Sequence, residues 1–276
     1  MSCNSEYYID IQGHRGCRGL LPENTLPAFE KAIGLGVHTL ELDIAITKDN
    51  LVVVSHEPYM NPEICLLPDG NSIGAQAGKN YNLYEMSHEE IKAFDCGIKF
   101  HPRFPEQEKL NVSKPLLSEV FELVKQKQSD VKFNVELKSL PEHYGTYTPF
   151  PKEYVNLVLE EIKNSGFVSR VSLQSFDIAI LEEIKRQMPK MPVALLVDEN
   201  ESILKKQSEL SFKPEIISPY FKLLDKDLIS ELQSKNQKII PWTVNSQSEM
   251  LQMIDFKVDG IITDYPNILV ELIDSM

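Results

Sequence analysis

The chain alternates short β-prone runs with segments whose apolar residues recur at helical spacing. Residues 8–12 form the first run, which stops at Gly13. Leu26, Phe29 and Ile33 then fall on one side of a helix, with Asn24 or Thr25 as its N-cap and Gly34 and Gly36 at its end. Residues 37–46 are the next strand. Strand, loop, helix, strand is a βαβ crossover, so the two strands are parallel neighbours. A turn at Thr47–Asn50 and a returning strand over 51–55 predict a hairpin. If Thr47 pairs with Asn50, Glu41 lies opposite His56 and shares its face.

Beyond a long excursion the alternation resumes. Val120, Phe121 and Val124 mark a helix over 118–128, and strands follow near 132–137, 171–174, 193–197, 215–218, 238–244 and 258–263. Helices near 152–164, 177–187, 201–208, 225–234, 247–254 and 266–274 separate and close them. The count is eight parallel strands plus the returning one, which predicts an α/β fold: a TIM-type (β/α)8 barrel with an insertion after the second strand. No GxGxxG motif follows the first strand, as an open dinucleotide-binding sheet would show. The whole of 1–276 reads as one barrel domain. The excursion, 58–110, is rich in Pro, Gly, Asn and Tyr, with a capping box at Ser87–Glu90. So long an irregular segment directly after His56 is expected to be a lid or a binding insertion overhanging that end of the barrel, the plainer alternative being an inert decoration.

A length of 276 residues suits one such barrel. The net charge of −13 argues against binding nucleic acid or anionic lipid through a basic surface. It leaves room for a small phosphate ester, which needs only a local positive site. The four cysteines, Cys3, Cys17, Cys65 and Cys96, form no CxxC pair and no zinc spacing, so they are expected to be reduced thiols without a shared role. No apolar run is long enough for stable membrane insertion. The N-terminal residues lack a signal-peptide pattern, so the expected location is cytoplasmic, or periplasmic if a signal was removed.

Charged residues on strands buried on both faces are the chemical signal. Glu41 and Asp43 share one face of the second strand, and Asn134, Glu136 and Lys138 share one face of the next. Val135 and Leu137 would face the helices, which turns Glu136 and Lys138 into the lumen. Buried charge is costly unless paired or liganded. A purely structural reading is a Glu136–Lys138–Glu41 salt network. Three carboxylates beside two strand-end histidines, His14 and His56, favour an oxygen-liganded cation with an acid/base pair. Trp242 and Asp264 also stand at strand ends. His38, His88, His101 and His143 are expected to be structural.

Several stretches resemble the glycerophosphodiester phosphodiesterase family. They are His14-Arg15-Gly16, Pro22-Glu23-Asn24-Thr25, Glu41-Leu42-Asp43 and VVVSHE at the start, then LYEMSHEEIKAFDCG, PLLSEVFELV, NVELK, WTVN and VDGIITDYP. The chain departs from the pattern at Cys17 and Glu57, and residues 60–80 match nothing in it. The resemblance implies His14 and His56 as the catalytic acid/base pair and Glu41, Asp43 and Glu136 as ligands of one divalent cation, Mg2+ or Ca2+. It also implies Arg15 and Lys138 as phosphate contacts, and Trp242 flanking the glycerol. The implied reaction is hydrolysis of a small-molecule glycerophosphodiester to glycerol 3-phosphate and an alcohol, with the glycerol 2-hydroxyl attacking first. Two other readings are a barrel phospholipase acting on intact lipids, which needs an apolar entry rim, and a non-catalytic phosphodiester-binding protein.

Overall fold

The structure, a computed structural model, describes residues 8–276. Strands β1 (Asp10–Gly13) and β2 (Thr39–Ile46) lie parallel across helix α1 (Leu26–Leu35), as the crossover pattern requires. Of the two N-cap candidates it is Thr25 whose hydroxyl accepts from the Ala28 amide. Gly36, with φ of 88°, ends the helix in the left-handed conformation. Ala28, Phe29 and Ala32 are the buried face of α1.

The returning strand is β3 (Val52–Val54), antiparallel to β2, and helix α2 (His88–Lys92) lies in the excursion that follows. The excursion leads to α3 (Leu117–Gln126) and β4 (Lys132–Leu137), and β4 lies directly beside β2. The remaining units are α4 (Pro151–Ser165), β5 (Val171–Ser175), α5 (Ile178–Gln187), β6 (Val193–Val197), α6 (Ile203–Gln207) and β7 (Ile216–Pro219). After them come α7 (Lys226–Ser234), β8 (Lys238–Ile239), α8 (Gln247–Asp255), β9 (Gly260–Thr263) and α9 (Pro266–Asp274).

Strand order is β8-β7-β6-β5-β4-β2-β1-β9, with β3 attached to β2. Pro241 has no amide hydrogen, so the regular ladder of β8 stops early. The seam between β8 and β9 closes through single bonds: Asp259 N–H to Ile239 O (2.9 Å), Ile262 N–H to Pro241 O (3.0 Å) and Val244 N–H to Ile262 O (3.0 Å). The sheet is therefore an eight-stranded parallel barrel with helices outside, as the count of βα units required.

The hairpin departs from expectation by one residue. Thr47 N–H bonds Leu51 O (3.0 Å), Asn50 takes φ of 61°, and Ile46 pairs with Val52. The loop is three residues long, with its last residue left-handed. Ser55, not His56, makes the last rung, on Asp43 O (2.9 Å). Glu41 is thus not opposite His56 in any ladder; His56 follows the last rung and lines the cavity from beyond the paired strand.

The cysteine expectation is also corrected. Cys65 and Cys96 form a disulfide across a sequence separation of 31. They sit in a small apolar cluster of the excursion, with Met60, Ile64, Leu83, Ile91 and Phe94, packed on Ala45 and Val53. Pairing needs only that folding bring two thiols together, so zinc and redox spacings do not register it. Cys17 is free and buried, with burial pushing its thiol up to about 12. Cys3 lies outside the described residues.

Candidate active site

The loop after β1 is built around close backbone contacts. A Cβ on Gly13 would lie 2.1 Å from Gly16 O, and one on Gly16, at φ of 87°, would meet the Ala28 backbone at 2.8 Å. Only glycine fits at either position. Between them Arg15 is left-handed (φ 50°), a cost on the order of 1–2 kcal/mol. That conformation points its amide at Glu41 Oε2 (2.9 Å). Asn24, also left-handed (φ 57°), donates from Nδ2 to Asp43 Oδ2 (2.9 Å).

Register brings the acids together. On adjacent strands Asp43 is level with Glu136, and Glu41 with Asn134. Oxygens of Glu41, Asp43 and Glu136 lie within 4.8 Å of one another, and all three residues are buried. Below them Asn134 donates to Gln12 Oε1 (2.9 Å) and Gln174 Oε1 (3.0 Å), while Gln174 donates to Glu41 Oε1 (2.9 Å). The lumen therefore carries an amide layer that orients the acids from beneath.

Burial, with Asp43 and Glu136 beside it, pushes the Glu41 carboxyl well above the usual range. Burial also raises Glu136, to about 7, against the opposing pull of Lys138. For Asp43 burial acts upward too, but Arg15, His56, Lys138 and the Asn24 hydrogen bond outweigh it and hold the group far below the usual range. Its Oδ1 is buried without a hydrogen-bond partner. Three converging carboxylates, two with raised pKa and one with an orphaned oxygen, are the donor set of an oxygen-seeking divalent cation. The residues fit such an ion.

Both expected histidines face this cluster. His14 Nδ1 lies 2.6 Å from Asp264 Oδ1, and its Nε2 is 3.9 Å from Glu41 Oε2. His56 Nδ1 lies 2.8 Å from Glu57 Oε1. Each imidazole thus has a carboxylate behind Nδ1, which leaves Nε2 for exchange. Burial lowers His14 to about 4, with Arg18 and Arg15 adding to it and Asp264 opposing. Burial likewise lowers His56, helped by Arg15 and Lys138. Burial would raise Glu57, but the hydrogen bond with His56 and nearby cations bring it to about 2.

The two expected phosphate contacts are near but engaged. Arg15 Nη1 donates to Glu23 Oε1 (2.6 Å), and its Nε is 3.2 Å from Asp43 Oδ2. Lys138 Nζ donates to Glu136 Oε1 (2.6 Å) and is 3.9 Å from Asp43 Oδ1. The lysine's carboxylate neighbours are therefore Glu136 and Asp43, not Glu41. Trp242 donates from Nε1 to Ser218 O (2.8 Å) and meets Phe176 edge-on at 5.6 Å. His14, His56, Glu41, Glu136, Arg15, Lys138 and Trp242 all line one cavity of about 350 Å3 at the C-terminal end of the strands. A larger cavity of about 560 Å3, between the excursion and α1, carries none of these groups.

Several participants escaped the sequence reading. Asp264 was visible only as a strand-end acid. It holds His14, accepts from Arg18 Nε (2.8 Å) and Nη2 (3.1 Å), and accepts from Asn245 (2.7 Å). Gln174 could have been found by extending the parity argument to β5. Arg103 lines the cavity from the excursion. Lys114 is buried, and burial lowers its pKa against the nearby charges of Glu57, Glu23 and Asp43. His101 lies 3.9 Å from Glu23 Oε2, one layer behind Arg15, and is less remote than its loop position implied. His38 and His88 are structural: His38 Nδ1 accepts from the Ile11 amide (3.0 Å), and His88 Nε2 faces Lys114 O at 3.3 Å.

Comparison with known proteins gives a family for the chain. The family model of the glycerophosphoryl diester phosphodiesterases matches residues 14–268. A glycerophosphodiester phosphodiesterase of Caldanaerobacter subterraneus is 33% identical over 95% of this chain and 97% of its own. The structure of a candidate glycerophosphoryl diester phosphodiesterase from Silicibacter pomeroyi has a TM-score of 0.87 at 28% identity, covering 97% of this chain and 95% of that one. A phosphodiesterase of Oleispira antarctica, solved with the product sn-glycerol-3-phosphate, has a TM-score of 0.75 at 22% identity over 96% of both chains. With the family model matched over residues 14–268 and a relative one third identical along nearly its whole length, the chain belongs to the glycerophosphoryl diester phosphodiesterase family and is an enzyme of that class.

Proposed function

We propose that this protein hydrolyses glycerophosphodiesters to glycerol 3-phosphate and an alcohol, with one divalent cation and a pair of histidines. The observation that carries the reading is the convergence of Glu41, Asp43 and Glu136 within 4.8 Å, in a cavity that His14 and His56 also line. Glu41, Asp43 and Glu136 would hold the cation, Mg2+ or Ca2+, since every donor is a carboxylate oxygen. When bound, such an ion would supply positive charge that offsets the phosphate and makes the attacking hydroxyl easier to deprotonate.

The protein's own groups carry the rest. Lys138 and Arg15 orient the phosphate, Trp242 sits against the glycerol, and Arg103 covers one side from the excursion as part of a lid, while Tyr59 of the same segment lines an adjoining cavity. One imidazole takes the proton of the attacking hydroxyl as its oxygen bonds to phosphorus. The other gives a proton to the leaving alcohol oxygen as that P–O bond breaks. Water then opens the resulting cyclic ester with the two roles exchanged. Asp264 and Glu57 fix each ring's Nδ1, so that Nε2 is the exchanging atom in both directions.

The test is release of glycerol 3-phosphate from glycerophosphocholine, with and without EDTA. Turnover should vanish with chelation and return with Mg2+ or Ca2+. His14→Ala and His56→Ala should each lower kcat by about 100-fold or more. Turnover indifferent to EDTA, or a near-normal rate in either variant, would contradict the reading.

A further inference from the structure

The excursion also grips the turn after β1 from outside the cavity. It leaves its apolar cluster at Cys96, whose amide bonds Val112 O (2.7 Å), and returns at Leu110, whose amide bonds Gly97 O (3.2 Å). A Cβ on Gly97 would lie 2.4 Å from Leu110 O, so the base of this loop is tightly packed. Its far end lies on residues 18–21. Glu108 N–H bonds Leu20 O (2.9 Å), and Gln107 Nε2 donates to Arg18 O (2.6 Å) and Leu21 O (3.1 Å). The Phe104 ring is buried there, with the Arg18 guanidinium carbon 4.9 Å from its centre.

We propose that Phe104 is a positioning residue for the reaction: its ring fixes Arg18, Arg18 fixes Asp264, and Asp264 orients His14. The inference rests on the phosphodiesterase reading above, with His14 in the acid/base pair, and goes beyond it to a residue that does not line the cavity. Arg18 stands between two acids. Its Nε and Nη2 form a fork on Asp264 (2.8 and 3.1 Å), while Nη1 is 3.6 Å from Glu23 Oε2. A guanidinium fork matches a carboxylate in one plane, so its tilt decides which acid it serves. The backbone is already held on both sides, by Gln107 on Arg18 O and by Gly19 N–H on Asp264 O (2.9 Å). The tilt is left to the side chain, and the face of Phe104 sets it by cation–π attraction in a desolvated place. The same ring meets His101 edge-on at 4.8 Å and carries the exposed Arg103 at 5.5 Å. Leucine at 104 fills the space without offering a face. Arg18 is then free to turn toward Glu23, and Asp264, 2.6 Å from His14 Nδ1, loses the fork that holds it. Misplacing a catalytic group by about 1 Å costs on the order of 100-fold in rate, so a smaller tilt is measurable.

The experiment is a double-mutant cycle on kcat, with glycerophosphocholine and metal saturating and each variant below its melting temperature. Phe104→Leu should lower kcat by about 3- to 30-fold with KM little changed, and Phe104→Tyr, which keeps the face, should hold the wild-type rate. In an Asp264→Asn background the link is already cut, and the same Phe104→Leu change should cost less than about twofold. An equal loss in both backgrounds would overturn the inference, since the ring would then act through Arg103 or through folding alone. An unchanged kcat in Phe104→Leu would overturn it too. Should the double variant not fold, proton NMR of Phe104→Leu decides: the His14 Nδ1 proton facing Asp264 should shift or broaden, and an unaltered resonance would overturn the inference. All of these leave the phosphodiesterase reading standing. A wild-type enzyme that releases no glycerol 3-phosphate would overturn that reading and this inference with it.

Discussion

Replacing Asp264 with asparagine removes one negative charge on which three neighbours depend. The carboxylate is fully buried and takes His14 Nδ1 at 2.6 Å, Arg18 at 2.8 and 3.1 Å, and Asn245 at 2.7 Å. Breaking a buried ion pair from one side costs about 3–5 kcal/mol, because the other charge stays buried. Arg18 keeps a second acid, Glu23, at 3.6 Å, which places the expected loss near the lower end of that range. For a chain of this size a loss of about 3 kcal/mol lowers the melting temperature by roughly 6–12 °C. The effect on turnover is separate. An asparagine amide facing Nδ1 favours the tautomer with its proton on Nε2, the wrong atom for a base. Loss of the carboxylate behind a catalytic histidine lowers kcat by up to roughly 10⁴. The assay is kcat and KM on glycerophosphocholine at saturating metal, below the variant's melting temperature, with a thermal melt alongside. KM should move little. A variant that turns over within threefold of the wild type would refute the assignment of Asp264 as the positioning group of His14.

Four further outcomes follow from the same geometry. Glu136 titrates near 7 in the metal-free fold, above its ordinary value of 4.5, because burial outweighs Lys138. The metal-free protein should therefore lose stability as pH rises between those values, since the unfolded chain releases this proton first. Over the same window Mg2+ or Ca2+ should bind more tightly as pH rises, because Glu41 and Glu136 must both release protons to hold it, read by titration calorimetry in buffers of different ionisation enthalpy. An affinity that does not change from pH 5.5 to 7.5 would contradict the shared site. Reducing Cys65–Cys96 should destabilise the excursion by about 3–4 kcal/mol on the chain-entropy scale for a loop of this length, seen as a lower melting temperature with a strong reductant; no shift would mean that the pair carries no stability. Gly13→Ala should abolish folded protein or activity, because its methyl group would meet Gly16 O at 2.1 Å, and a soluble, active variant would show that the loop can move.

The barrel was legible because its signals are local. Each strand of the eight is a short apolar run bounded by turn residues, and period-two parity alone put Glu41, Asp43, Glu136 and Lys138 on the lumen face. Helix α4 shows the same at period 3.6: Tyr154, Val155, Val158, Leu159 and Ile162 are its buried stripe. What failed was information that parity does not carry. One extra residue in the hairpin loop shifts every pairing, and sequence gave no way to choose between a two- and a three-residue loop at Lys48–Asn50. The disulfide depends on the path of an irregular segment, and so do the positions of Tyr59, Arg103 and Lys114. Asp264 was visible as a strand-end acid. Its pairing with His14, 250 residues away, exists only because the last strand closes against the first.

In the proposed mechanism three carboxylates from two adjacent strands hold one divalent ion beside two imidazoles. Titrating Mg2+ or Ca2+ into chelator-stripped enzyme, while binding and glycerol 3-phosphate release are followed in the same sample, tests it most directly. One equivalent should bind per chain and restore turnover in parallel, and Glu136→Gln should lose both together. Full turnover in the stripped enzyme, or a Glu136→Gln variant that binds the ion and turns over normally, would contradict it.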